Sequence, residues 1–253
     1  MNYVVKKLSA GFKDRVTGFS SEVFDTFLEF ENSSSDRAVK SDKFDKLYKS
    51  NKPKWLVNYD VVRYLPQVYQ IAFSEDILDA VKQFGIKRPI FSASIIPLRI
   101  DMPFDEQFAF PWHQDFAYNL GSENSVTVWI PLQDTQRENG ALEVIEGDYL
   151  SYNREKRLLK STDDNGVLEA DTLHDLMSDP SSEHKIVPVD VGEILIFSQF
   201  LVHRSGKNIS KFPRMSLQVR FSDLSDQFFK DKKYSFSKTN TVPKYSDVID
   251  YLS

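Results

Sequence analysis

The chain has 253 residues, 41% of them hydrophobic and 13% aromatic, including 20 Phe. That supply of apolar surface excludes a disordered chain and supports a substantial core. The net charge of −5, with Lys scattered among acidic residues, excludes a nucleic-acid groove, which needs clustered cations to replace counterions at phosphates. The absence of Cys rules out a disulfide framework, Met1 to Leu8 carry no apolar signal core, and no apolar run reaches the ~18 residues of a membrane span. These features predict a cytoplasmic protein with one domain over 1–253, without a nucleic-acid or membrane partner.

Residues 1–88 read as a helical N-terminal part. From Ser20 to Phe30 the residues Val23, Phe24, Phe27, Leu28 and Phe30 recur at helical spacing, with Ser20 or Ser21 available as the cap. Asn32 to Asp36 reads as a loop, and Phe44, Leu47 and Tyr48 predict a short helix before Pro53. Trp55 to Tyr64 is ambiguous between element types and is a candidate pocket wall. Ser74, Glu75 and Asp76 open a further helix, Ile77, Leu78, Val81 and Phe84 form its apolar stripe, and Gly85 stops it. These stripes are expected to pack on the outside of a sheet.

After Pro89 the pattern changes to short β runs: Ile90 to Ile100, Phe108 to Tyr118, Val126 to Leu132, Ala141 to Ile145, Lys185 to Val189, Glu193 to Phe197 and Arg214 to Phe221. Asn139-Gly140 and Asp190 to Glu193 supply turn chemistry. The expectation is a mainly β fold with flanking helices, a β-sandwich or jelly roll over 89–224 interrupted by a polar insertion at 148–184. That insertion reads equally as a solvated excursion or as an active-site lid. His174 and His184, near its end, are expected to be surface or structural residues. The aromatic tail, 225–253, is expected to pack back on the helices.

Two residue groups carry chemistry. In Trp112-His113-Gln114-Asp115, a His and a carboxylate two positions apart on an extended strand project to the same side. With His203 they make a two-His-one-carboxylate set, the facial triad of non-haem Fe(II), which leaves sites for cosubstrate and O2. Eleven residues beyond His203, Arg214 opens a run in which Arg214, Ser216, Gln218 and Arg220 share one face and Leu217, Val219 and Phe221 the other. A guanidinium pairs bidentately with a carboxylate and keeps its charge, which suits the distal carboxylate of 2-oxoglutarate. Ser205 shares strand parity with His203, so its hydroxyl is placed to join Arg214.

With these residues in place, the chain resembles the phytanoyl-CoA dioxygenase-like family of Fe(II)/2-oxoglutarate oxygenases. The resemblance rests on Trp112 to Asp115, Trp129 to Leu132, Asn139 to Gly147, Asp190 to Phe197 and His203 to Arg214 with Asn208 and Ser210, about half the chain. It implies a double-stranded β-helix (cupin-like jelly roll), with Fe(II) on His113, Asp115 and His203, 2-oxoglutarate held by Arg214 and Ser205, and Trp129 nearby. Arg99 sits where relatives often carry a basic residue ahead of the iron motif. The sequence departs from the family where Gly-Ser-His often ends the third of these motif regions and here Gly147-Asp148-Tyr149 stands. Retention of Asp115 implies hydroxylation, since relatives that halogenate replace this carboxylate. The expected activity is hydroxylation of an unactivated C–H bond in a small metabolite. The alternatives are a cupin-like metal-dependent isomerase or hydrolase and a non-catalytic jelly-roll binding module.

Overall fold

The computed structural model describes residues 2–28, 37–92, 98–107, 109–117, 119, 121–151, 157–162 and 166–231. Two antiparallel sheets form the jelly-roll core. The larger has the order β1(Tyr3–Lys7), β7(Glu193–Ser198), β4(Val126–Pro131), β9(Arg214–Asp223), β2(Pro89–Phe91), with β3(Leu98–Asp101) also paired to β9. The smaller has the order β6(Glu183–Val187), β5(Leu142–Glu146), β8(Val202–Arg204).

Strand alternation divides the apolar residues into two clusters. Val126, Val128 and Ile130 of β4, Ile194 and Ile196 of β7, and Met215, Leu217, Val219 and Phe221 of β9 pack with the N-terminal helices. The opposite face of the same strands supplies Trp129, Leu195 and Phe197, which meet Leu142, Val144 and Val202 of the smaller sheet. Period-two alternation therefore gives the larger sheet one face for helices and one for the space between the sheets. The site lies on the second face.

The helices are α1(Ala10–Leu28), α2(Arg37–Ser50), α3(Lys52–Val62), α4(Pro66–Ala72) and α5(Glu75–Phe84), followed late in the chain by α6(Ala170–Ser178) and α7(Gln227–Asp231). Helix α1 begins ten residues before Ser20, because Phe12, Val16 and Phe19 extend the buried stripe backwards. Its first turn is capped by Ser9, whose Oγ accepts from the Phe12 amide at 3.0 Å, so Ser20 and Ser21 are interior residues rather than caps. The ambiguous Trp55 segment is helical, with Asn51 accepting from the Lys54 amide at its N-terminus and Pro53 in its first turn. Trp55 is fully buried among Phe27, Phe44, Tyr48 and Tyr59. Helix α5 matches its expected bounds and ends on left-handed Gly85 at φ 119°.

The β strands differ from expectation in two places and add one strand. Within Ile90 to Ile100 the described residues give two strands, β2 and β3, and residues 93–97 lie outside the described ones. Phe108 to Tyr118 is not a continuous strand: His113 makes single antiparallel bridges to His203 and Val167, and a 3-10 turn follows at Asp115–Ala117. Strand β1 carried no expectation, and it forms the edge beside β7 through Tyr3↔Phe197 to Lys7↔Glu193. The Asn139-Gly140 turn is real. Gly140 has φ 87°, and a Cβ there would lie 2.9 Å from the Gly206 carbonyl oxygen, so glycine is required twice over.

The described parts of the 148–184 region are tied to the core. The Gln114 amide donates to the Gly166 carbonyl at 3.1 Å and the Leu168 amide to the Trp112 carbonyl at 2.9 Å, while Leu168 and Leu176 are buried. The tail contributes α7, whose Phe229 is fully buried and whose Phe228 packs against the cluster between the sheets. Its later aromatics, and the loop at Asn32 to Asp36, lie outside the described residues. Among the described residues no helix is long and apolar enough to cross a membrane.

Candidate active site

His113, Asp115 and His203 come together in the interior: one potential ligand atom from each lies within 4.8 Å of the others, and all three residues are buried. They do so by a route that strand parity did not anticipate. The His113 and His203 backbones exchange both hydrogen bonds, at 3.0 and 3.1 Å, which sets the rings side by side with centroids 4.1 Å apart. Asp115 arrives from the 3-10 turn.

Each imidazole is oriented through its other nitrogen. Nδ1 of His113 lies 2.8 Å from the Pro111 carbonyl and Nδ1 of His203 lies 3.0 Å from the Leu201 carbonyl. A carbonyl only accepts, so Nδ1 carries the proton in both rings and both Nε2 lone pairs remain for a metal. Those Nε2 atoms are 3.4 and 3.9 Å from Oδ1 of Asp115. The other carboxylate oxygen, Oδ2, accepts from the Thr127 hydroxyl and from Nε of Arg220 at 3.0 Å, and Nη2 of Arg220 reaches Oδ1 at 3.2 Å. Asp115 is thus held by one edge while Oδ1 faces the histidines.

The electrostatics suit a cation. Burial alone would raise the Asp115 pKa, but Arg220, a hydrogen bond with His113 and the nearby His203 together hold it well below the ordinary carboxylate value. Burial, with neighbouring His113, pushes His203 down to about 3, so its ring is neutral at physiological pH. A neutral His203 and an ionised Asp115 are in the protonation states metal binding requires. Phe110 and Phe197 contact the two histidine rings, with centroids 4.3 and 4.6 Å away, and wall the centre with apolar surface.

Arg214 lies farther along the same inner face of β9. It is buried, its guanidinium carbon is 5.6 Å from the Trp129 ring centroid, and Nη1 donates to the Ser216 hydroxyl at 3.2 Å. Its Nη2 donates to Asp101 in an ion pair, and Arg99 donates to the other oxygen of Asp101 at 3.3 Å. Burial lowers the Arg214 pKa and Asp101 opposes that shift. Two buried donors here, Nε of Arg214 and Nε1 of Trp129, have no hydrogen-bond partner among the described residues. Buried donors without partners are rare, and a pair of them beside a guanidinium fits a carboxylate ligand such as the distal end of 2-oxoglutarate. Trp129, Arg99 and Arg214 therefore gather as expected. Ser205 follows the end of β8 at Arg204, and its hydroxyl accepts from the Phe110 amide at 3.3 Å, which leaves its own proton to donate.

Sequence reasoning missed three residues. Thr127 and Arg220 anchor the triad carboxylate, and Asp101 pairs with Arg214. Parity held the signal for each: Thr127 shares a face with Trp129, Arg220 with Arg214, and Asp101 with Arg99. His184 is an exposed residue, as expected, and its Nε2 lies 2.7 Å from Oε2 of Glu143, which accepts from Arg204 as well. This pair belongs to the outer side of the smaller sheet, with Trp112 beneath both His184 and Arg204. His174 is exposed on α6.

Comparison with known proteins agrees with this geometry. Among solved structures, EctD from S. alaskensis superposes with a TM-score of 0.58 at 18% identity, over 89% of this chain and 74% of that one. The carbocyclase SnoK from nogalamycin biosynthesis superposes with a TM-score of 0.57 at 18% identity, over 96% and 90%. At that identity they establish the fold alone. In sequence, the chain is 27% identical to methylphosphonate hydroxylase of Gimesia maris over 135 residues, 51% of this chain and 47% of that protein. It is 28% identical to 1-deoxypentalenic acid 11-beta-hydroxylase of Streptomyces arenae over 155 residues, 57% of this chain and 52% of that protein. The chain thus spans about half the length of the curated relatives it matches. The family model for phytanoyl-CoA dioxygenase (PhyH) matches residues 17–216, most of the chain. With the triad and its buried carboxylate site in the same span, the chain belongs to the phytanoyl-CoA dioxygenase family.

Proposed function

We propose that the protein is an Fe(II)- and 2-oxoglutarate-dependent dioxygenase that hydroxylates an unactivated C–H bond of a small metabolite. The observation that carries this reading is the buried convergence of His113, Asp115 and His203, with both Nε2 atoms and one carboxylate oxygen turned toward one another. Bound there, Fe(II) with 2-oxoglutarate and O2 would supply the chemistry that places one oxygen atom in the substrate and the other in succinate, with loss of CO2.

The chain's own groups have separable tasks in this scheme. Pro111 and Leu201 hold the histidine tautomers through their carbonyls, and Thr127 with Arg220 fixes the carboxylate edge. Arg214, with the unpartnered indole N–H of Trp129, receives the distal carboxylate of 2-oxoglutarate. Phe110 and Phe197 keep water from the histidines. EctD, a protein of the same fold, is known with bound Fe and with 2-oxoglutarate and 5-hydroxyectoine, which supports the pairing of metal and cosubstrate. The sequence relatives are named for hydroxylation of small molecules, methylphosphonate and 1-deoxypentalenic acid, and that favours a metabolite over nucleic acid or a membrane surface.

The test is anaerobic calorimetry with Fe(II) and then 2-oxoglutarate, followed by a screen of candidate metabolites for substrate-stimulated succinate release. Tight iron binding followed by micromolar-range 2-oxoglutarate binding is expected. Iron-loaded protein that ignores 2-oxoglutarate would overturn the reading and favour a metal-dependent isomerase or hydrolase.

A further inference from the structure

We propose that the outer side of the smaller sheet carries a second binding site, separate from the triad, for a small organic anion bearing phosphate or carboxylate groups. A cavity of about 330 Å³ lies there, within the range of small-molecule sites.

The sheet itself separates the two places. His203 and Arg204 follow one another on β8 and so project to opposite faces. His203 pairs across from Val144, a member of the cluster between the sheets, and Arg204 pairs across from Glu143. Glu143 lies opposite Ile186 on β6, so Ile186, Glu143 and Arg204 make one row over the outer face, and that row lines the cavity.

The rim is formed by two stretches of backbone in contact with each other. The Ile209 amide donates to the Glu138 carbonyl at 2.8 Å, and Asn139 bridges to Asn208. A Cβ on Gly206 would overlap the Ala141 carbonyl oxygen, so only glycine permits this approach. Residues 137–141 and 206–209 are thereby fixed against one another, which brings Arg137 and Lys207 to the same cavity.

The charge of the cavity is opposite to that of the chain. In a protein of net charge −5, it is lined by Arg137, Arg204 and Lys207 against one carboxylate, Glu143, an excess of two positive charges with His184 neutral. Like charges held at one concavity concentrate their field and favour an incoming anion. The three cations are engaged to different degrees. Arg204 is held in place, since Nη2 donates to Glu143 at 2.8 Å and the guanidinium carbon lies 4.7 Å from the Trp112 ring centroid. Lys207 pairs with Glu106, but both side chains are exposed, and such a pair contributes little and is readily exchanged. The guanidinium of Arg137 has no hydrogen-bond or ion-pair partner among the described residues. Guanidinium and ammonium groups only donate, so a ligand that serves Arg137 and Lys207 together must offer acceptor oxygens, and charged ones bind most strongly. Ala141, Ile186 and Ile209 add apolar wall, which suits a carbon skeleton better than a bare inorganic ion.

The experiment is calorimetric titration of the whole chain, without added metal, with glycerol 3-phosphate, malate and inorganic phosphate. Each titration is repeated on Arg137→Ala, Lys207→Ala, their double variant and Arg214→Ala. Without metal the anion has no ion to coordinate, and Arg214→Ala identifies any binding at the cosubstrate arginine, so this site is tested independently of the proposed function. Saturable binding of at least one organic anion with Kd below about 1 mM is expected. Arg137→Ala and Lys207→Ala, which alter exposed side chains and should leave the fold intact, should each weaken it severalfold, and Arg214→Ala should leave it unchanged. The double variant should lose roughly tenfold or more, as removal of two charge-assisted contacts requires. Glu143→Gln should bind severalfold more tightly, because the ligand no longer meets a like charge and Arg204 is released toward it.

Tighter binding of glycerol 3-phosphate than of malate would support the proposal with phosphate as the recognised group, and the reverse would support it with carboxylate. Absence of saturable binding for all three anions would overturn it, as would affinity unchanged in the double variant. Binding lost in Arg214→Ala but kept in the double variant would overturn it in favour of the cosubstrate site. Inorganic phosphate bound as tightly as either organic anion would overturn the assignment of an organic ligand.

Discussion

The two faces of β9 are buried almost equally and behave as different materials. Toward the helices, Met215, Leu217, Val219 and Phe221 sit in apolar contact with no exposed surface beyond 1%. Toward the smaller sheet, Arg214, Ser216, Gln218 and Arg220 form ion pairs and hydrogen bonds with partners from β3, from the Asp115 turn and from their own strand. Burial alone therefore does not distinguish core from site on this strand. The distinction is that the polar face keeps unused hydrogen-bonding capacity at Arg214 and Trp129, which a finished core would have eliminated. One face stores stability, and the other holds groups in readiness for ligands.

If that division is correct, changes on the two faces should register in different measurements. The largest effect is expected at the metal centre. His113→Ala and His203→Ala should each abolish tight Fe(II) binding in anaerobic calorimetry while the β fold, judged by circular dichroism, persists. Retained tight binding in both variants would remove the triad.

Next in size is a change on the helix-facing side. Leu217→Ala deletes a fully buried side chain and should lower stability by about 2–5 kcal/mol in denaturant unfolding. Fe(II) and 2-oxoglutarate affinities, measured on the folded fraction, should be unchanged. A fall in either affinity matching the loss of stability would show that the two faces are not separable.

Acid should act on the inner face before the outer one. His203 has its pKa depressed by burial from 6.5 to about 3, so the unfolded chain binds a proton the native chain refuses. Its stabilising effect is fully present above pH 6.5 and is lost as pH falls through the interval between 6.5 and about 3. Each unit of pH in that interval should lower the stability of metal-free protein by about 1.4 kcal/mol per proton taken up. Asp115, also depressed, acts with the same sign at lower pH. Bound metal should oppose the decline near pH 6, and a flat metal-free profile from pH 7 to 5 would count against a neutral buried His203.

The smallest effect is also the sharpest separation. Trp129→Phe keeps a large aromatic ring but deletes the Nε1 donor, which has no partner among the described residues. Stability should change by less than about 1 kcal/mol, since no existing hydrogen bond is broken, whereas 2-oxoglutarate affinity should fall severalfold. Unchanged affinity would mean that the indole nitrogen is merely left over.

How much of this was legible in the sequence depended on distance along the chain. The alternation in Arg214 to Phe221 fixed both faces of β9, and the stripe from Ile77 to Phe84 with Gly85 fixed α5, because each pattern is local. His113, Asp115 and His203 were readable as a set, but the reason offered for the first pair was wrong. Asp115 leaves the strand path and its carboxylate is drawn to Thr127 and Arg220, partners 12 and 105 residues away. Asp101 was invisible for the same reason, since its meaning depends on the register of β3 with β9, 113 residues apart. For Ser205 parity is no guide, because β8 ends at Arg204.

That dependence on distance also bears on how the molecule is made. The first strand, Tyr3–Lys7, finds its partner in Glu193–Ser198, and Phe197, paired with Tyr3, is the ring that backs His203. Closing so long a loop is entropically unfavourable, and folds dominated by such pairings form slowly. During synthesis the opening strand must wait, with Tyr3, Val4 and Val5 unpaired, until nearly two hundred further residues have emerged. The helices that follow it can assemble early, since their stripes need only neighbours. The triad cannot, because His203 and its supporting strands come late, and so a metal held by it would be acquired only after that stretch has been made.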